Sequence, residues 1–192
     1  MSELIVGDAQ PLNERVISRD KVSCPCFFYR RYMRGLKIYE VNPHYIKYLT
    51  GFQEHLFFAD GDKAGRKYIG IILEINGFKY FAPLSSFKDK HKKMDEGVDF
   101  IKIKDYAVIN INNMIPVPDG EYTLVDVNGT KYPHYRFLLQ AESREINRQK
   151  NRIIKNASIV YKHKERNGEG SPLAKRTNNF KILEKACREY IS

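Results

Sequence analysis

The 192-residue chain carries 33 Lys and Arg against 23 Asp and Glu, a formal net charge of +10 that favours a polyanionic partner such as nucleic acid. Lysine and arginine interrupt every hydrophobic segment, which excludes a transmembrane helix and a secretory leader and predicts no membrane partner. Cys24, Cys26 and Cys187 are too few and too odd in number for a disulfide framework, so a soluble, cytoplasmic protein is expected.

Residues 1–35 read as an N-terminal extension and 36–192 as the body of one domain. The extension holds Pro11, a polar run from Asn13 to Lys21, Cys24-Pro25-Cys26, and an aromatic and basic cluster from Phe27 to Tyr32. Alternation over Leu36-Lys37-Ile38-Tyr39-Glu40-Val41 predicts the first strand. Asn42-Pro43 ends it and starts a short helix, His44 to Phe52, with Tyr45, Ile46, Tyr48 and Leu49 on its apolar side. The β-branched run Ile69 to Ile75, the turn pair Asn76-Gly77 and the return run Phe78 to Leu84 predict a buried hairpin, its pairing weakened at Pro83. Lys88 to Lys104, polar and lysine-rich, is expected to be a solvated loop. Asp105 to Ile115 reads as further β structure closed by Pro116 and Pro118, and Tyr122 to Val127 as a short strand or helical turn ended by Asn128-Gly129. From about Tyr135 the pattern is that of a long amphipathic helix whose outer face carries Arg144, Arg148, Lys150, Arg152 and Lys155. From Arg144 onward 13 Lys and Arg stand against five Glu, so most of the net charge lies in the C-terminal third. Gly168 to Pro172 breaks the helix, and Phe180 to Tyr190 reads as a final one.

The hairpin delivers Ser85, Ser86 and Lys88 to the end of a rigid sheet. Two hydroxyls that donate hydrogen bonds and one ammonium can hold a phosphate there. From the residues alone the first reading of the serines is as the cap of a helix beginning at Phe87, which is compatible with a phosphate site. Gly61-Asp62-Lys63-Ala64-Gly65-Arg66-Lys67 is not a phosphate loop, because only three residues separate its glycines, no Ser or Thr follows the lysine, and it precedes a strand. Cys24-Pro25-Cys26 lacks metal-ligand spacing, the histidines are scattered, and Asp60 with Asp62 is too sparse for a cation cluster, so neither metal nor cofactor is expected.

Lys37-Ile38-Tyr39, Tyr45-Ile-Lys-Tyr-Leu49, Ile69-Gly-Ile-Ile-Leu-Glu74, Lys79-Tyr-Phe-Ala-Pro-Leu-Ser-Ser86 with Lys88 and His91, and Ile109-Asn-Ile-Asn-Asn-Met-Ile-Pro116 follow one another in an order that resembles the ToxN/AbiQ family of type III toxin–antitoxin endoribonucleases, its CptN-like members above all. The resemblance implies an α+β fold: a compact, twisted, largely antiparallel β-sheet related to the Kid and MazF messenger RNA interferases, flanked by helices and ending in a long basic C-terminal helix. It also implies a bacterial toxin for growth arrest, locus maintenance or abortive phage defence. Such a toxin cuts adenine-rich cellular and phage RNA without metal, leaving 2′,3′-cyclic phosphate and 5′-hydroxyl ends. It processes its own repeat antitoxin RNA and is inhibited by the resulting pseudoknot, in a ring assembly held together by RNA.

The same resemblance implies roles for individual residues. Ser86 matches the family's key serine and Ser85 precedes it; one or both would position the scissile phosphate or the attacking 2′-OH, while Lys88 stabilises phosphate charge. Arg66 stands about where the family carries a functional lysine, and since guanidinium stays charged it is assigned to phosphate clamping, with Lys67 one residue out of register. Tyr135 and Arg136 match a segment that contacts RNA, the tyrosine by stacking. His91 is either a proton shuttle at the RNA or a structural histidine. Arg144, Arg148 and Arg152 are expected to grip RNA from the basic helix. The alternative is a non-catalytic RNA-binding module, which has no need of the serine–lysine rim; a DNA-binding regulator lacks its helix-turn-helix pattern.

Overall fold

The computed structural model describes residues 35–53, 56 and 65–191. The expected extension before Gly35, with its cysteine pair and aromatic cluster, and the glycine-bounded run up to Ala64 lie outside these residues.

The strands are β1 (Lys37–Val41), β2 (Lys67–Ile75), β3 (Phe78–Ser86), β4 (Phe100–Ile103), β5 (Ala107–Asn110), β6 (Ile115–Pro116) and β7 (Tyr122–Leu124). Among the described residues they form one sheet in the order β4-β5-β3-β2-β1-β7, with β6 also on β3, and every pairing is antiparallel. The expected hairpin is present. Asn76 and Gly77 both adopt positive φ, 52° and 81°, which is what a two-residue turn matched to strand twist demands. Pro83 marks a change of partner. Up to Pro83, β3 pairs with β2, and from Leu84 to Ser86 it pairs with Ile109, Val108 and Ala107 of β5. The pairing therefore holds the serine rim in an extended strand instead of releasing it into a loop.

Helix α1 (Pro43–Thr50) follows β1 as expected, its N-terminus capped by the Asn42 side chain accepting from His44 N–H at 3.0 Å. The stretch expected to be a solvated loop contains instead α2 (Asp89–Lys92) and β4. Lysines hid the strand, because only Phe100, Ile101 and Ile103 are apolar, yet the three are buried and the strand pairs with β5. The long helix is divided at Gln149, where ψ reaches 7°, into α3 (Pro133–Arg148) and α4 (Lys150–Asn167). Ser171 caps the short α5 (Pro172–Lys175), and α6 (Phe180–Ile191) is the final helix. Among the described residues no helix is long and apolar enough to cross a membrane.

Helices α1, α4 and α6 share with the sheet a core that includes Tyr45, Leu49, Ile69, Ile72, Tyr80, Phe81, Ile153 and Phe180, all fully buried. Gly70 is required at the centre. A Cβ there would stand 2.3 Å from the Phe81 ring. One carboxylate ties three elements together: the Tyr80 hydroxyl of β3 and the Tyr161 hydroxyl of α4 both donate to Oε1 of Glu184 on α6, at 2.7 and 2.8 Å. The Asn76 amide of the hairpin turn donates in turn to the Tyr161 hydroxyl at 3.2 Å. Satisfying buried polar groups in this way avoids a penalty of about 1–3 kcal/mol for each one left unpaired.

Candidate active site

Two clefts meet at the end of β3. One, of about 280 Å³, is bordered by Ser85, Ser86, Lys88, Lys90, His91 and Asn110. The other, of about 370 Å³, is bordered by the same serines and Lys88 together with Lys67, Tyr135 and Glu142. Arg66, Ser85, Ser86 and Lys88 border both and so form the ridge along which the clefts join.

The serines sit in β3, Ser85 half-buried and Ser86 exposed. Helix α2 begins at Asp89 with Lys88 as its cap residue, so the alternative that the serines cap a helix starting at Phe87 is set aside. Neither hydroxyl hydrogen-bonds another described residue, which leaves both available to a ligand. Lys88 is fixed through its backbone: its N–H donates to His91 Nδ1 at 3.0 Å, and His91 N–H donates to its carbonyl at 2.8 Å. The His91 ring is buried, edge-on to Phe87 at 5.6 Å and tilted against Phe100 at 5.9 Å. Burial, then the nearby Lys90, Lys88 and Lys102, lower its pKa from the ordinary value, so the ring is neutral at pH 7. Both facts favour a histidine that shapes the rim over one that shuttles protons.

Arg66 and Lys67 stand at the start of β2, and Lys67 forms an ion pair with Glu40 of β1. On α3, Tyr135, Leu138, Leu139 and Glu142 recur at three- and four-residue spacing and make one wall of the larger cleft. Tyr135 is 39% exposed, with area to spare for a stacked base. The other expected RNA contacts are not brought into the clefts. Arg136 lies over the neighbouring Phe137 ring at 5.9 Å. Arg148 pairs with Glu145 at 3.5 Å and Arg152 with Glu96 at 3.1 Å, while Arg144 is exposed on α3. Among the described residues no three His, Cys, Asp or Glu side chains gather as metal ligands.

Sequence reasoning did not single out Glu142, Asn110 or Lys90 as site residues. Of these Glu142 is the most unusual. It is 6% exposed, the one acid bordering either cleft among the described residues, and has no hydrogen bond or ion pair to a described residue. Burial alone pushes its pKa from 4.5 up to about 7. A carboxyl whose pKa is raised on folding holds its proton more tightly in the folded state. Below about pH 4.5 both states are protonated and nothing is lost; as pH rises toward about 7, ionisation of the unfolded chain draws stability away, by at most about 3 kcal/mol. Glu142→Gln is therefore expected to melt higher than wild type at pH 8, with the difference shrinking toward pH 5. Paired thermal melts check this, and a difference independent of pH would contradict it.

The family model described as "Toxin ToxN, type III toxin-antitoxin system" matches residues 37–188. Endoribonuclease ToxN of Bacillus thuringiensis subsp. kurstaki is 29% identical over 162 residues, covering 80% of this chain and 84% of that protein. Endoribonuclease AbiQ of Lactococcus lactis subsp. lactis is 29% identical over 177 residues, covering 85% and 94%. A solved type III toxin–antitoxin structure, described by selective toxin inhibition by a non-coding RNA pseudoknot, superposes with a TM-score of 0.72 at 26% identity over 82% of this chain and 99% of its own. The structure of AbiQ, a lactococcal anti-phage endoribonuclease, superposes with a TM-score of 0.72 at 24% identity over 82% and 98%, a likeness of fold.

Proposed function

The chain belongs to the ToxN family of toxins from type III toxin–antitoxin systems, and from that premise we propose that it is a metal-independent endoribonuclease that cuts adenine-rich RNA by attack of the ribose 2′-OH on the adjacent phosphate. One observation carries the assignment: two unbonded serine hydroxyls, the Lys88 ammonium and the Arg66 guanidinium border the same two clefts. Attack by the 2′-oxygen forms the 2′-O–P bond and breaks the P–O5′ bond, leaving 2′,3′-cyclic phosphate and 5′-hydroxyl ends. The residues supply what that step needs. Ser86 and Ser85 orient the phosphate, and Lys88 and Arg66 offset the charge that grows on its oxygens. Tyr135 holds a flanking base by stacking.

The partner in this reading is a repeat antitoxin RNA that the toxin processes and that then occupies the groove as a pseudoknot, in a ring of toxin and RNA. Relatives described with a pseudoknot inhibitor and with a processed non-coding RNA in an antiviral system support this. Arg144, Arg148 and Arg152, outside the groove, serve the wider grip that a folded RNA requires, and the biological setting is abortive defence against phage.

Incubating purified wild-type protein with adenine-rich RNA in EDTA and analysing the ends tests the proposal. Cleavage to cyclic-phosphate ends is expected. RNA that is bound but left intact, in EDTA and with divalent cations alike, would instead favour the non-catalytic RNA-binding module.

A further inference from the structure

We propose that Glu142 is the general base, the group that takes the proton from the attacking 2′-OH. The inference rests on the cleavage reading above and deepens it by naming the one part that the rim does not supply. Ser85, Ser86, Lys88 and Arg66 can orient the phosphate and stabilise charge, but a serine hydroxyl is a poor base and a guanidinium keeps its proton at ordinary pH. His91 is held by Lys88 N–H at Nδ1, is buried against two phenylalanine rings, and borders only the smaller cleft.

Glu142 stands in the larger cleft with both serines, Lys88 and Arg66. The residue is more than nine-tenths buried, and its carboxyl is unpartnered among the described residues. A carboxyl so placed is costly to keep, and nothing in the packing employs it: its neighbours on the same wall, Leu138 and Leu139, are apolar. The charged and titratable groups that border the cleft with it are Arg66 and Lys67 at the start of β2, Lys88 beyond the end of β3, and Tyr135 two turns back on its own helix. Burial opposes ionisation and pushes the pKa up to about 7, and a carboxyl poised near neutrality beside both serines is what a general base requires. In the step, the 2′-OH proton passes to the Glu142 carboxylate as the 2′-O–P bond forms. The P–O5′ bond breaks as the 5′-oxygen takes a proton from the Lys88 ammonium or from water, and the proton that Glu142 then releases to solvent balances the one that the donor regains.

Wild type, Glu142→Gln and Ser86→Ala are compared on adenine-rich RNA in EDTA, across about pH 5.5 to 8.5, with binding measured on an uncleavable 2′-O-methyl RNA. Wild-type cleavage is expected to rise through about pH 7 and level off. Glu142→Gln is expected to be slower by about 10²–10³-fold, without that acid limb, and to bind RNA within about 3-fold of wild type. Thermal melts establish that the variant is folded, and Glu142→Asp is expected to restore part of the rate with the acid limb. Cleavage by Glu142→Gln close to the wild-type rate, an unchanged pH profile, or a loss of affinity as large as the loss of rate would overturn the role of Glu142. Failure of wild type to cut would sink the cleavage reading itself, which separates the two failures.

Discussion

Ser86→Ala is expected to cut RNA about 10²–10³-fold more slowly than wild type while melting at the same temperature. The size of the loss is that of removing one preorganised donor from a site where charge develops, about 3–4 kcal/mol of transition-state stabilisation. The unchanged melt follows from the surroundings: Ser86 is exposed, its hydroxyl bonds to no described residue, and the strand around it is held by backbone pairing to Ala107. Lys88→Ala is expected to lose a similar factor, because its backbone stays fixed by His91 while the ammonium is removed. The double variant should lose less than the product of the two, since in the proposed reading both groups act on one phosphate. Single-turnover cleavage with saturating protein measures these rates free of product release. A Ser86→Ala protein that cuts normally, or one that melts several degrees lower, removes the serine from the role given to it.

Phe81→Ala is expected to destabilise the fold by about 3–5 kcal/mol, a large share of the stability of a domain this size. Its ring is fully buried, set edge-on to Tyr39 at 5.3 Å and tilted on Tyr122 at 4.8 Å, and it covers the bare backbone of Gly70. Gly70→Ala alone should cost about 1–3 kcal/mol, because its methyl meets that ring at 2.3 Å. In the Phe81→Ala background the same methyl enters vacated space, so the second change should cost little or help. Urea unfolding of the four proteins closes this cycle. Additive losses would mean that the ring and the glycine do not share one site.

The hairpin was legible because its signals are local: a β-branched run, Asn76-Gly77 at positive φ, and an aromatic return strand agree with one another. The serine rim was legible for the same reason, although the partner that holds it, β5, could be known only from the fold. Strand β4 was not legible. Four residues with one lysine among them give no period to count, and only pairing with β5 makes them a strand. Glu142 was invisible for a different reason: an acid among the arginines of an amphipathic helix reads as part of the solvent face, and its burial arises where α3 borders the cleft at the end of β3. The N-terminal turns of α3 held the opposite lesson. Tyr135 and Arg136 are adjacent in sequence and looked equivalent, but adjacent residues on a helix point about 100° apart, so one borders the cleft and the other does not.

Glu184 accepts from Tyr80 across 104 positions of chain. A polypeptide is made from its N-terminus, so β3 emerges long before the carboxylate to which its Tyr80 hydroxyl donates. Until α6 arrives, the hydroxyls of Tyr80 and Tyr161 lack their common acceptor, and Phe180 is missing from its place against both rings. A growing chain therefore carries β3 before the contacts that tie it to α4 and α6 can form, and the fold around the hairpin closes only when the last helix is made.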